Sequence, residues 1–227
     1  KSLMFLLLQV NNDHYRGADF FNKIEKLFLL YKNEIKQSFS NTELFNIFKN
    51  SKRLLLFLIR ERILELNDNF TENMTSKKCR HFFYLHYLYP DVKPFISKPM
   101  IRKIEKDLPE GYEEKRLIGE NDNEICQIIR KDSIEEFKTF CEENNVALNS
   151  HIHESIFETN PFLLENESTL IDYAAFYGSI NIFKYLLSQK IELIPSLWLF
   201  AIHGRNVELI ETLVKNEIKP EERNYDK

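Results

Sequence analysis

The residues best suited to chemistry in this chain are Cys79, His81 and His86, which lie close together on one predicted helix. Thiolates and imidazoles are the usual zinc ligands, but a structural zinc site needs four of them in a tetrahedral array. This stretch lacks a fourth ligand, and residues two positions apart, such as Cys79 and His81, face different sides of a helix. We therefore expect these histidines to pack among aromatic residues, and we expect no metal or other cofactor.

Two further pairs of residues have the right types for metal binding or nucleophilic catalysis. His151 and His153 fall in a predicted extended loop, where solvation is favoured over a role as ligands. Cys126 and Cys141 lie on the apolar stripes of predicted helices, which indicates buried structural thiols. With Cys79 they give three cysteines without framework spacing, so we expect reduced thiols and a cytoplasmic protein.

Catalytic motifs are absent from the sequence. It contains no G-x-S-x-G, no phosphate-binding G-x-x-x-x-G-K-[ST] and no G-x-G-x-x-G. Its paired carboxylates are adjacent in sequence and so diverge in space, as at Glu113–Glu114, Glu135–Glu136, Glu142–Glu143 and Glu221–Glu222. We therefore expect a protein that is not an enzyme and has no small-molecule substrate.

The charge and hydropathy patterns argue against nucleic acid and membrane as partners. The formal net charge is -4, which gives no global attraction to polyanions. The basic run Lys77–His81 spans about one helical turn, which is typical of a solvated helix start. The apolar run Leu3–Leu8 is far shorter than the roughly 20 residues that span a bilayer, and we interpret it as the end of a truncated helix.

The elements that position these residues are predicted to be helices. Five glycines in 227 residues are few for a sheet-rich protein and favour helices joined by short turns. Apolar residues at helical spacing predict helices over residues 19–37, from a cap at Asn41, over 52–66 and over 75–89. Four prolines then interrupt regular structure, at Pro90, Pro94, Pro99 and Pro109, with a short helix between the last two.

The proline cluster suggests a division into two domains. We predict an all-α chain in which residues 1–110 form a helical bundle of unknown function. Residues 111–227 are predicted to form stacked helical hairpins, with one hairpin between Ile125 and Asn144. Residues 169–187 form the clearest hairpin, with paired alanines in one helix, a turn at Gly178 and an apolar stripe in the next helix.

An internal repeat supports the hairpin prediction. A shift of 27 residues places Ala201 on Ala174, and a shift of 46 places Ser179-Ile180 on Ser133-Ile134. Gly178 and Gly204 are offset by 26, which predicts that the turn slips by one residue. A hairpin this short cannot bury both faces by itself, so we expect neighbouring hairpins to stack.

The stretch Thr169-Leu-Ile-Asp-Tyr-Ala-Ala-Phe-Tyr-Gly178, followed by Ile-Asn-Ile-Phe-Lys-Tyr-Leu-Leu187, resembles the ankyrin repeat. That family has the signature T-P-L-H-x-A-A-x-x-G and then a V-x-L-L helix. Leu170, Asp172 and Lys190 stand where the family has proline, histidine and glycine. The longer stretch from Glu113 is similar to expanded families of divergent ankyrin proteins in parasitic protists, in which a helical region precedes degenerate repeats.

The resemblance implies a non-catalytic scaffold that binds a protein partner, with the repeats truncated at the carboxyl end. The predicted contact residues are exposed positions on the inner helices and turns: Asp172, Tyr173, Phe176, Tyr177, Trp198, His203 and Arg205. Tyrosine, tryptophan and arginine most often dominate interfaces. The competing interpretation is that Tyr173, Phe176 and Trp198 fill the core between hairpins. Two other functions stay open: an adaptor whose amino-terminal bundle mediates regulation or oligomerisation, and an enzyme or metal-binding protein that uses Cys79, His81 and His86.

Overall fold

The computed structural model describes residues 2–13, 18–66 and 82–220. Within these ranges every extended regular element is a helix, and the strand-like pairing there is an isolated antiparallel bridge between His151 and Thr169. The prediction of an all-α chain is therefore confirmed for the part of the chain that the structure describes.

The helices of the first half are α1 Ser2–Asp13, α2 Ala18–Leu30, α3 Lys32–Ser38, α4 Asn41–Phe48, α5 Lys52–Arg60, α6 Phe82–Tyr87, α7 Tyr89–Val92, α8 Lys98–Asp107 and α9 Tyr112–Ile118, with a 3₁₀ turn at Lys93–Phe95. Those of the second half are α10 Glu124–Lys131, α11 Ile134–Glu143, α12 Pro161–Glu165, α13 Leu170–Tyr177, α14 Ile180–Ser188, α15 Leu197–Gly204 and α16 Val207–Lys215.

The amino-terminal cap of α4 differs from the prediction by one residue. Ser40, not Asn41, is the cap: its hydroxyl accepts from the backbone NH of Glu43, whose carboxylate accepts from the backbone NH of Ser40 in return. The side chain of Asn41 instead accepts from the backbone NH of Glu65 at 3.0 Å. Both serine and asparagine side chains can accept hydrogen bonds from the backbone NH groups at the start of a helix, so the sequence could not show which of the two residues is the cap.

The described residues form two compact units. The first takes Lys1–Asn121 and Ser155–Glu165, and the second takes Asp122–Glu154 and Asn166–Lys227, in each case as far as the structure describes them. The sequence predicted a boundary near residue 110, whereas residues 111–121 and 155–165 lie with the first unit. The difference arises because the first core takes side chains from both of those segments.

The core of the first unit is aromatic and aliphatic. Fully buried members include Phe28, Phe48, Leu54, Leu58 and Phe157, and the rings of Phe28 and Phe48 meet edge to face at 5.5 Å. Helix α5 contributes several buried residues to this core, and it ends at Arg60 rather than near residue 66 as predicted. Phe157 reaches this core from a segment that the sequence assigned to the repeats.

Buried polar groups join those later segments to the first unit. The Lys52 amine donates to the backbone carbonyls of Ile156 at 3.2 Å and Glu158 at 2.9 Å. The buried Arg116 guanidinium pairs with Asp91, and the Tyr87 hydroxyl donates to the Arg116 carbonyl at 3.2 Å. Desolvation raises the pKa of Tyr87 to about 12, so this phenol stays a neutral donor at physiological pH.

The second unit contains three helical hairpins: the first is α10 and α11, the second α13 and α14, and the third α15 and α16. Helix α13 packs between α10 and α15, and α14 packs against α11 and α16. The helix starts follow the shifts read from the sequence, 46 residues from first hairpin to second and 27 from second to third. We call the first helix of each hairpin (α10, α13 and α15) the inner helix and the second (α11, α14 and α16) the outer helix. The inner helices thus pack against one another in one row, and the outer helices do so in another.

The turns inside the three hairpins also keep this register. A residue with positive φ ends each inner helix: Asp132 at 53°, Gly178 at 69° and Arg205 at 51°. The prediction that the turn slips by one residue is therefore wrong. Gly204 is not the turn residue, and its small size serves a close approach of two helices instead. A Cβ atom at Gly204 would lie 2.1 Å from the backbone carbonyl oxygen of Ala175.

Candidate protein-binding surface

Asp172 has a local role at the start of helix α13. The Thr169 hydroxyl accepts from the backbone NH of Asp172, whose carboxylate accepts from the backbone NH and hydroxyl of Thr169 at 2.9 and 2.6 Å. This reciprocal capping box fixes the helix start. Asp172 is 4 % exposed, so the expectation that it lies on the surface is wrong.

Burial also sets the electrostatics of Asp172. Desolvation raises the pKa of this carboxyl above its ordinary value, while the hydrogen bonds from Thr169 and the nearby His151 act in the opposite direction. One carboxylate oxygen, Oδ1, has no hydrogen-bond partner among the described residues. Asp172 therefore acts as a local helix cap and is not accessible for recognition.

Tyr173 and Phe176 are buried, so the prediction that they are exposed is also wrong, and the competing interpretation of core filling is confirmed for both. The guanidinium of Arg130, in the first hairpin, donates to the Tyr173 hydroxyl at 2.7 Å and lies 5.7 Å from the centre of the Tyr177 ring. The Phe176 ring packs 5.3 Å from the ring of His203 in the third hairpin. These side chains join successive hairpins.

Four predicted contact residues keep access to solvent. Tyr177, Trp198 and His203 are half-buried and Arg205 is exposed. The Trp198 indole NH donates to the backbone carbonyl of Ile218 at 2.8 Å, which fixes the ring while part of it stays accessible. Arg205 holds the left-handed turn position of the third hairpin. The reduced candidate surface consists of Tyr177, Trp198, His203 and Arg205.

Sequence reasoning missed two kinds of residue on these hairpins. Asp132 caps the next hairpin, since its carboxylate accepts from the backbone NH groups of Asn181 at 3.1 Å and Ile182 at 3.0 Å. Its alignment with Gly178 in the 46-residue shift indicates a turn position but not the hydrogen bonds of its carboxylate. The other kind is a set of exposed aliphatic side chains in the third hairpin, at Ile202, Val207 and Val214.

The residues considered for metal binding or catalysis are described only in part. Cys79 and His81 lie outside the described residues. His86 is buried, with Nε2 at 3.7 Å from a carboxylate oxygen of Asp107. In residues 2–13, 18–66 and 82–220, no three His, Cys, Asp or Glu side chains are grouped as they would be around a metal ion.

The remaining candidate ligands and nucleophiles have contrasting environments. His151 and His153 are exposed, whereas Cys126 and Cys141 are buried, as expected. Desolvation, with Glu142 nearby, raises the pKa of Cys141, so this thiol is less ionised and less nucleophilic than a free cysteine.

Comparison of the chain with protein-family models, with curated proteins and with solved structures found no match. Across the described ranges, no helix combines the length and apolar character needed to cross a bilayer.

Proposed function

We propose that this chain is a non-catalytic scaffold that binds a protein partner through stacked helical hairpins of degenerate ankyrin type. The observation that carries the proposal is the pair of helix rows in the second unit, with α10, α13 and α15 in one row and α11, α14 and α16 in the other. Helices that are packed against one another in this way hold their surface residues at fixed positions. A partner that docks on them loses little conformational freedom in the scaffold.

The side chains available on these rows suit a protein interface. Tyr177, Trp198 and Arg205 belong to the residue types that most often dominate binding energy, and Tyr177 and Trp198 are held by neighbouring groups. In this proposal the first unit is the helical domain that precedes a short solenoid. The buried reduced thiols Cys126 and Cys141 fit a cytoplasmic location.

The test is affinity capture with the full chain and two surface variants, followed by mass spectrometry of the captured proteins. Tyr177→Ala and Arg205→Ala should each weaken capture of the same partner, whereas Arg102→Ala, an exposed arginine in α8, should not. Circular dichroism checks that each variant is folded. Equal capture by all three variants would show that the partner does not use this surface.

An adaptor in which the first unit mediates oligomerisation is the second candidate. It is favoured by exposed apolar residues on α1, namely Leu3, Phe5 and Leu6, each more than half exposed. If this face joins two copies, Phe5→Glu and Leu6→Glu should convert a dimer into a monomer in sedimentation velocity. Leu117→Glu, on a separate exposed apolar site, is the control. A chain that is monomeric before any substitution would remove this candidate.

A further inference from the structure

The carboxyl ends of the three inner helices carry a continuous set of side chains in contact. The guanidinium of Arg130, on the first hairpin, lies 5.7 Å from the centre of the Tyr177 ring on the second. The centre of that ring lies 5.1 Å from the centre of the Phe176 ring, which in turn lies 5.3 Å from the ring of His203 on the third hairpin. Because α13 packs between α10 and α15, one edge of the second unit presents residues of all three hairpins.

This edge is basic, although the chain as a whole has a formal net charge of -4. Arg130 and Lys131 lie in the last turn of α10, and Arg205 follows α15 in the turn of its hairpin. Lys131 and Arg205 are exposed. The carboxylate of Asp132 lies at the same edge, but it accepts hydrogen bonds from two backbone NH groups at the start of α14 and caps that helix. We call Arg130, Lys131, Tyr177 and Arg205 the turn-edge strip.

The basic groups of the turn-edge strip lie at its two ends, with an uncharged ring between them. Packed helices are about 8–10 Å apart, so the first and third inner helices place the backbones of Lys131 and Arg205 about 16–20 Å apart. The half-buried Tyr177 ring comes from the hairpin in the middle. An extended polypeptide advances about 3.4 Å per residue, so its carboxylates reach both ends when about five or six residues separate them.

The surface beside the turn-edge strip is not basic. Glu135 and Glu136 lie in the first turn of α11 and Glu208 in that of α16, and all three are exposed. Lys138 pairs with Glu135 and Lys184 with Glu208. A nucleic acid or an anionic membrane carries charge at short regular intervals and is bound best by a broad basic surface. A polypeptide can instead place its carboxylates at two points only.

We propose that the turn-edge strip binds an extended acidic segment of the partner protein, in which carboxylates about five or six residues apart flank an apolar or aromatic residue. One carboxylate pairs with Arg130 and Lys131, the other pairs with Arg205, and the residue between them packs on the Tyr177 ring. This inference rests on the proposed function, because it names the chemistry of the partner that the stacked hairpins bind.

The probe is a fluorescein-labelled synthetic peptide in which five residues, a leucine and a tyrosine among them, separate two pairs of glutamates. A second peptide has the same composition with the two pairs adjacent, and a third has glutamine in place of every glutamate. Fluorescence anisotropy measures the affinity of the full chain for each peptide, and for a single-stranded oligonucleotide of the same formal charge. The spaced peptide should bind at least about threefold more tightly than the other two peptides, a difference within the range of one exposed ion pair.

Charge reversal tests the two ends of the turn-edge strip separately. Lys131→Glu and Arg205→Glu should each weaken binding of the spaced peptide by at least about threefold. Lys215→Glu is the matched control, because Lys215, like Lys131, is an exposed lysine at the last position of a helix. Lys215 ends an outer helix, away from the turn of its hairpin, so this variant should bind the spaced peptide as the unsubstituted chain does. Circular dichroism checks that each variant is folded.

Three results would overturn the inference. One is equal affinity for the spaced peptide and for either of the other two peptides. Another is tighter binding of the oligonucleotide than of the spaced peptide, which would make nucleic acid the ligand. The third is an equal loss in Lys131→Glu and Lys215→Glu, which would assign the effect to overall charge.

The capture test separates this inference from the proposed function. Capture of the partner that is weakened by Tyr177→Ala and Arg205→Ala but not by Lys131→Glu would keep the scaffold and remove the acidic segment. Equal capture by Tyr177→Ala, Arg205→Ala and the unsubstituted chain would instead count against the proposed function itself.

Discussion

Gly204 and Gly178 are glycines for different physical reasons, although both lie at the carboxyl end of an inner helix. Gly178 has φ of 69° and ends its helix in the left-handed region. Gly204 is still helical and lies against the backbone of the neighbouring inner helix. The sequence shows two glycines 26 residues apart, but only the packing of the helices shows which one is needed for conformation and which for space.

Substitution of Gly204 by alanine should destabilise the second unit by about 3 kcal/mol, because the added Cβ meets backbone that cannot rotate away. The matched control is Gly111→Ala, whose Cβ would meet only a flexible Glu114 side chain at 3.8 Å. This substitution should lower the free energy of unfolding by about 1 to 2 kcal/mol, because alanine must adopt the positive φ of Gly111. Urea unfolding measures both. A smaller loss for Gly204→Ala than for Gly111→Ala would contradict the close approach to Ala175.

Asp172 should make the stability of the second unit depend on pH. Burial raises the pKa of its carboxyl in the folded state, so the folded chain holds this proton more tightly than the unfolded chain does. The free energy of unfolding therefore falls as the pH rises from the ordinary aspartate range through the raised folded value, and levels off above it. Asp172→Asn removes this dependence while its amide oxygen can still accept from Thr169.

The measurement is urea unfolding of Asp172→Asn and of the unsubstituted chain from pH 4 to 7. The difference in unfolding free energy, variant minus unsubstituted, should increase with pH across that range. Its absolute value is not the test, because the new amide also places a donor where Oδ1 has no hydrogen-bond partner among the described residues. Glu167→Gln, at an exposed site, controls for loss of surface charge. A flat or falling difference would contradict the raised pKa.

At the scale of single residues, the sequence did not predict which side chains of the hairpins are exposed. Among the predicted contact residues, Arg205 is exposed and Tyr177 is half-buried, whereas Tyr173 and Phe176 belong to the core between hairpins. In α13, which packs between two other helices of the same row, every residue from Leu170 to Phe176 is buried. Helical spacing within one hairpin therefore cannot identify the exposed side until the adjacent hairpins are placed.

At the scale of helices, the repeat was well determined by the sequence. The shifts of 27 and 46 residues place the starts of all six hairpin helices, because apolar spacing inside a hairpin is local information. Boundaries that depend on capping were less accurate, as Ser40 and Asn41 show. Hydrogen bonds between hairpins, such as those accepted by Asp132, connect residues about 50 positions apart and cannot be predicted from local apolar spacing.

The Asp132 carboxylate should be a measurable part of the link between the first two hairpins. Asp132→Ala removes the acceptor for two backbone NH groups at the start of α14 and should cost about 1 to 2 kcal/mol. Asp132→Asn keeps one acceptor oxygen and tolerates the positive φ, so it should lose clearly less. Thermal unfolding compares the two variants. Equal losses would show that the carboxylate does not cap α14.

For the whole chain, the sequence predicted two parts but not how they interleave. The backbone passes from the first unit to the second near residue 121, returns near 155 and leaves again near 165. Segment 155–165 has no repeat signature and no strong amphipathic pattern, so nothing local shows where it packs. Its membership depends on contacts more than 100 residues apart, such as those from Lys52.

This interleaving makes a specific prediction about fragments. A fragment of residues 1–110 should not fold cooperatively, because it lacks Arg116 and Phe157 and leaves the Lys52 amine buried without the carbonyls that it binds. A fragment in which residues 1–121 are joined to 155–165 by a short flexible linker should fold. The join is short because Thr159 donates to the Gly119 carbonyl from both its backbone NH and its hydroxyl, at 3.2 and 2.6 Å.

The reciprocal deletion follows the same geometry. The backbone NH of Ile152 donates to the Ser168 carbonyl at 2.7 Å, so residues 122–154 can be joined to 166–227 across a short gap. Calorimetry of the joined fragments should give one cooperative transition each, and that of residues 1–110 should give none. A cooperative transition from residues 1–110 would instead place the domain boundary near residue 110, where the proline cluster predicted it. Segment 155–165 would then be a surface attachment, and the burial of Phe157 would contribute little to the stability of the first unit.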